Sequence, residues 1–197
     1  MDKPESVETN YTIDYRDIKY PRLEFKTGTL QLILPKKYKN HQQLLEKHKK
    51  WIHQKQQTIQ NALQQAKTIQ LNHKRTISQL KTLVEKLVQQ YQTELNTKTN
   101  RITYRKMKTK WASHSSNKNL TINTLLKYLP EKLIRYIVFH EMAHSMERKH
   151  NERFWNIISR KFRNCQEIEE HLLIYWFLIQ KGSEKNEPKK NYMQKDS

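Results

Sequence analysis

Residues 140–144 read His140-Glu141-Met142-Ala143-His144. Side chains four apart on a helix lie one turn apart on the same face, so both imidazoles can bind one metal ion. Glu141 lies about 100° round the helix from His140. From there a carboxylate can reach water at the metal and take its proton. The competing reading is a helix with two core histidines, which would need hydrogen-bond partners for both rings.

Zinc catalysis takes a third protein ligand and leaves the fourth position to water. His150 follows His144 by six positions and completes H-E-x-x-H-x5-H, the ligand spacing of metzincins. A chain that ends its helix after Met146 and turns can bring His150 back under the metal. Metzincins place glycine at that turn, whereas this chain has Glu147, which argues against a true metzincin. A carboxylate from a later helix is the alternative ligand, and Glu167, Glu169 and Glu170 stand at a suitable separation.

Several elements must position these residues. Pro130, before Glu131, marks a helix start, and that helix is expected to run to Ser145 or Met146 with Leu133, Ile137 and His140 on one face. Helices are predicted over 152–162 and 168–179. Ile102-Thr103-Tyr104 and Leu120-Thr121-Ile122 read as strands, with a further strand over 111–115. Tyr11, Ile13 and Tyr15 alternate with polar residues, as do Leu30, Leu32 and Leu34. Gly28 sits at a turn between Leu23-Glu24-Phe25 and 29–34, the pattern of a β-hairpin that Pro35 ends. From 41 to 96 there is neither Gly nor Pro, and apolar residues recur at helical spacing, including Leu80, Leu83, Leu87 and Tyr91. One unbroken helix would be about 80 Å long, so two helices separated near Leu71-Asn72-His73 are expected, as an antiparallel pair or a protruding hairpin.

The motifs occur in an ordered string. Tyr104-Arg105-Lys106-Met107-Lys108-Thr109-Lys110-Trp111-Ala112-Ser113 precedes Leu120-Thr121-Ile122-Asn123. Then come Tyr136-Ile137-Val138-Phe139 with the 140–144 pentapeptide, and His150-Asn151-Glu152-Arg153-Phe154-Trp155. Over about residues 101–163 this string resembles the YgjP-like zinc metallopeptidase family, which carries a Met-Lys-Thr-Arg-Trp-Gly-Ser-Cys run, H-E-L-A-H and a following His-Ser-x-x-Phe-Trp. The resemblance implies Zn²⁺ as cofactor and His150 as third ligand. Ala112 stands where the family has Gly, His114 where it has Cys, and the 53–98 segment is long and polar for the family. SprT-like proteases, which act on DNA–protein crosslinks, share the H-E-M-x-H wording but place their third histidine farther along.

Composition bounds the rest. The 197 residues carry a net charge of +19 with a mean hydropathy of -1.03. The 4 Trp, 10 Tyr and 5 Phe are too many for a disordered chain. Only 2 Gly and 5 Pro exclude collagen-like and linker classes, and a single cysteine, Cys165, excludes an internal disulfide. No apolar run approaches the roughly 20 residues of a membrane span, and no signal peptide is visible, so the expected compartment is the cytoplasm. The charge suits a polyanionic partner, and the second functional reading is a basic nucleic-acid-binding protein with a subordinate zinc site.

The expected fold is α+β: a small mixed or antiparallel sheet packed on the active-site helix, with a long helical insertion. The expected organisation is a tail over 1–9, a hairpin region over 10–40, helices over 41–98, the peptidase core over 99–181 and a polar tail over 182–197. The expected function is hydrolysis of protein or peptide substrates, with His140, His144 and His150 as ligands and Glu141 as base. The strand over 111–115 can pair with extended substrate backbone, which makes Trp111, Ser113 and His114 candidate substrate contacts. Trp111 and Trp155 read first as core anchors, and Cys165 and His171 as ordinary core or surface residues.

Overall fold

The computed structural model describes residues 10–26 and 28–184. The expected tail over 1–9, and that over 182–197 from residue 185 onward, lie outside the described residues. The architecture is α+β, with two three-stranded mixed sheets and six α-helices among the described residues.

The first sheet contains β1 (Tyr11–Arg16), β2 (Arg22–Lys26) and β3 (Thr29–Pro35), in the order β1-β3-β2. The expected hairpin is β2–β3, antiparallel and closed at the Lys26↔Thr29 pair. Gly28 makes its turn at φ +91°, a conformation that a side chain disfavours. Leu30, Leu32 and Leu34 are buried on one face with Leu44 and Ile52 from α1 (His41–Lys47) and α2 (Lys49–Gln65).

The second sheet carries the site. It contains β4 (Arg101–Arg105), β5 (Ala112–His114) and β6 (Asn119–Asn123), in the order β4-β6-β5. β4 runs parallel to the central β6 and β5 antiparallel to it, leaving β5 as an edge that packs on α4 (Glu131–Ala143). A short 3-10 helix (Thr124–Tyr128) links β6 to α4. α5 (Glu152–Lys161) and α6 (Cys165–Glu184) complete the chain, α6 continuing past the expected end at 179.

The 41–98 region departs from the expected pair of helices. It forms three: α1, α2 and α3 (Ile77–Glu94). α2 packs on α6 through Ile59, Ala62 and Ala66 against Ile174 and Phe177. α3 packs on α4, burying Leu80, Val84, Leu87 and Tyr91, with Tyr91 edge-on to Phe139 at 5.2 Å. The two long helices thus answer different partners, and α3 contributes its apolar face to the main core.

The break between them is wider than the three residues expected, spanning 66–76. The Asn72 side chain accepts hydrogen bonds from the Lys74 and Arg75 amides, an Asx turn that competes with helix. The Asn72 amide bonds the Tyr128 carbonyl at 2.9 Å, and the Arg75 guanidinium the Leu129 carbonyl at 2.5 Å. Thr76 and Gln79 then restart the helix as a reciprocal capping box.

Candidate metal centre

α4 carries the H-E-x-x-H residues, and its apolar face is buried through Leu133, Ile134, Ile137, Val138 and Phe139. That packing fixes the helix rotation and turns His140 and His144 toward the cleft. After Ala143 the chain leaves the helix, and the Met146 and Glu147 amides both bond the Ala143 carbonyl. Glu147, at the place where a metzincin glycine would stand, is no obstacle to this turn. The Asn151 side chain caps α5 by accepting from the Phe154 amide at 3.1 Å, which sets His150 just outside the helix start.

His140, His144 and His150 converge, each offering one ring nitrogen within 4.8 Å of the others. His140 Nε2 and His150 Nε2 are 3.0 Å apart. Two nitrogens on one tetrahedral zinc stand about 3.3 Å apart, so the spacing fits such an ion. His144 Nδ1 donates to the Glu147 carbonyl at 3.1 Å, leaving Nε2 as the lone-pair nitrogen. Phe154, fully buried, is the wall behind all three rings: it stacks on His144 at 4.6 Å and meets His140 and His150 edge-on at 4.9 and 4.7 Å.

The electrostatics favour metal capture. Burial, then the charges of His144 and His150, lowers the His140 pKa from 6.5 to about 3. His144 is also lowered, mainly by burial. Both imidazoles are therefore held neutral, the form that donates a lone pair. Three imidazoles are a borderline donor set that suits zinc, copper, iron or nickel. Glu167, Glu169 and Glu170 do not join this group; Glu167 accepts from the Asn164 side chain, and Glu169 from the Tyr136 hydroxyl.

Glu141 stands beside the triad. Burial raises its pKa to about 7, against the opposing pull of a hydrogen bond from the His114 backbone and the charge of Lys110. The cleft has a volume of about 580 Å³, and His140, Glu141, His144 and His150 line it with Trp111, Ser113 and His114. All three candidate substrate residues thus reach the site. Trp111 also meets Trp176 of α6 edge-on at 4.8 Å, the anchor role expected of it. Trp155 is only partly covered, 5.8 Å from the His150 ring.

The loop between β4 and β5 is organised by Asn123, the only buried polar residue among the described residues. Its amide nitrogen donates to the Met107 and Lys110 carbonyls at 2.9 and 2.7 Å. Its oxygen accepts from the Met107 and Leu125 amides at 3.2 and 3.1 Å. All four hydrogen bonds of one primary amide are used, and they fix how Lys110 and Trp111 enter β5. The order of the motif string registers Asn123, but only the fold reveals this work. Tyr136 and the Glu147 carbonyl were not legible as partners of the site, because no spacing rule links them to the histidines, and Glu169 is legible in the sequence only as a candidate ligand.

Residues 62–174 match the model of the YgjP-like metallopeptidase domain. The chain belongs to the YgjP-like metallopeptidase family, and with it to the metal-dependent peptide hydrolases. Among solved structures it is similar to the metallopeptidase zymogen jannalysin of Methanocaldococcus jannaschii, at 30% identity over 50% of this chain and 95% of that one, with a TM-score of 0.42. It is also similar to the metallopeptidase zymogen abylysin of Pyrococcus abyssi, at 25% identity over 46% and 91% of the two chains, with a TM-score of 0.42. No curated protein matches the sequence. The family match begins at residue 62, so it takes in α3, in keeping with the packing of that helix on α4. No helix among the described residues is long and apolar enough to cross a membrane.

Proposed function

We propose that the protein is a zinc-dependent metallopeptidase in which His140, His144 and His150 hold the ion and Glu141 is the general base. The observation that carries this reading is the convergence of three imidazoles beside a buried carboxylate in one cleft. When bound, zinc supplies Lewis acidity, lowering the pKa of a water toward 7 and polarising the scissile carbonyl.

The chain's own residues supply the rest. A carboxyl group poised at about 7 can accept a proton near neutral pH and return it to the leaving amine. The His114 backbone hydrogen bond holds that carboxylate between β5 and the triad. The Trp111 carbonyl and the Ser115 amide bond β6, so the intervening Ala112 and His114 turn their backbone groups to the open edge. With the His114 amide engaged by Glu141, the Ala112 amide and carbonyl and the His114 carbonyl remain for an extended peptide. Trp111, Ser113 and His114 then contact substrate side chains.

The test is cleavage of an unfolded protein by zinc-loaded wild type and Glu141→Gln. Loss of the base should cost about 100- to 10,000-fold in turnover with the metal retained. Equal turnover in the two proteins contradicts the proposed role.

A further inference from the structure

His140 presents Nε2 to the triad, which leaves Nδ1 on the far side of the ring. That Nδ1 is buried and has no hydrogen-bond partner. When Nε2 gives its lone pair to a metal, the ring proton resides on Nδ1 and needs an acceptor. The acidic group facing it is Glu169 of α6, whose Oε1 lies 3.7 Å away. The same oxygen accepts a hydrogen bond from the Tyr136 hydroxyl at 2.6 Å. Tyr136 stands one turn before His140 on α4, is itself buried, and has its ring 5.7 Å from the imidazole. It therefore holds one carboxylate oxygen at the His140 side of the cleft.

We propose that Glu169, held by the Tyr136 hydroxyl, is a positioning residue that accepts the His140 Nδ1 proton's hydrogen bond and so fixes the tautomer and orientation of that ligand. The proposal rests on the metal-binding reading of the triad. Three observations decide between this role and direct ligation. Glu169 is absent from the set of mutually close donor atoms, its Oε1 is already engaged by Tyr136, and it approaches Nδ1 instead of Nε2. Closing 3.7 Å to a normal hydrogen bond of about 2.9 Å takes less than 1 Å of side-chain movement. The Glu169 side chain is 45% exposed and has room for it. The pair also ties α6 to the site, which no sequence motif announces.

Zinc affinity, measured by competition with a chromogenic chelator, tests the assignment in Glu169→Leu, Glu169→Gln, Tyr136→Phe and His140→Ala. Glu169→Leu should weaken zinc about 10- to 100-fold. Glu169→Gln keeps an oxygen acceptor and should stay much closer to wild type, and Tyr136→Phe should fall between. In the zinc-loaded protein a slowly exchanging His140 Nδ1 proton should appear in ¹H–¹⁵N spectra and be lost in Glu169→Leu, a signal that a purely structural role would not move. Wild-type affinity in Glu169→Leu, or equal weakening in the Gln and Leu variants, overturns the role of Glu169 while loss in His140→Ala leaves the metal reading intact. Wild-type affinity in His140→Ala overturns both.

Discussion

Replacing Asn123 should damage stability and cleft shape without touching the metal ligands. Asn123→Ala deletes two donors and two acceptors at once, leaving the Met107 amide and carbonyl, the Lys110 carbonyl and the Leu125 amide without that partner. At about 0.5–1.5 kcal/mol net per hydrogen bond, and with water able to reach part of the exposed loop, the loss should be about 2–4 kcal/mol. For a chain of this size each kcal/mol is about 2–4 °C of melting temperature. Asn123→Asp sharpens the test. It preserves shape and both acceptances but turns a carboxylate oxygen toward two carbonyl oxygens, so at neutral pH it should cost at least as much as Asn123→Ala. Urea unfolding of the metal-free proteins measures both. Zinc affinity should stay at the wild-type level, because none of these four bonds involves a histidine of the triad. An Asn123→Asp protein as stable as wild type, or a loss below about 1 kcal/mol in Asn123→Ala, would refute the reasoning.

Two further outcomes follow from burial. Phe154→Ala removes a fully buried ring and should cost about 3–5 kcal/mol by denaturation, and it should weaken zinc binding because all three imidazoles lose their wall. The metal-free protein should also lose stability on mild acidification. The unfolded chain protonates His140 near 6.5 and the folded chain only near 3, so stability is full above 6.5 and falls as pH drops between those values. At pH 5 this one group contributes about 2 kcal/mol of loss, read as a urea midpoint that drops less between pH 7 and 5 in His140→Ala than in wild type.

What could be read in advance depended on how local the determinant was. The His140, His144 and His150 group follows from helical spacing and a short return, and the β2–β3 hairpin from alternation and Gly28. Helix pairing was not legible. The apolar stripes of α2 and α3 each suit a neighbouring helix, but nothing in their periodicity says that α2 meets α6 and α3 meets α4. The break over 66–76 contains no Gly or Pro, and it depends on Asn72 turning back on its own backbone and on Arg75 reaching the carbonyl of a residue far along the chain. Phe154 stands in the motif string after His150, but its contact with all three imidazoles needed the fold. The charge of +19, prominent in composition, is not what assembles the cleft: the His140 and His144 rings are held neutral, mainly by burial.

Metal content per chain, measured in wild type and His150→Ala after equilibration with limiting zinc and gel filtration, addresses the triad most directly. One zinc per wild-type chain is expected, with loss of most of it in His150→Ala. One zinc retained with wild-type affinity in His150→Ala would contradict the three-histidine site and return the third position to a carboxylate.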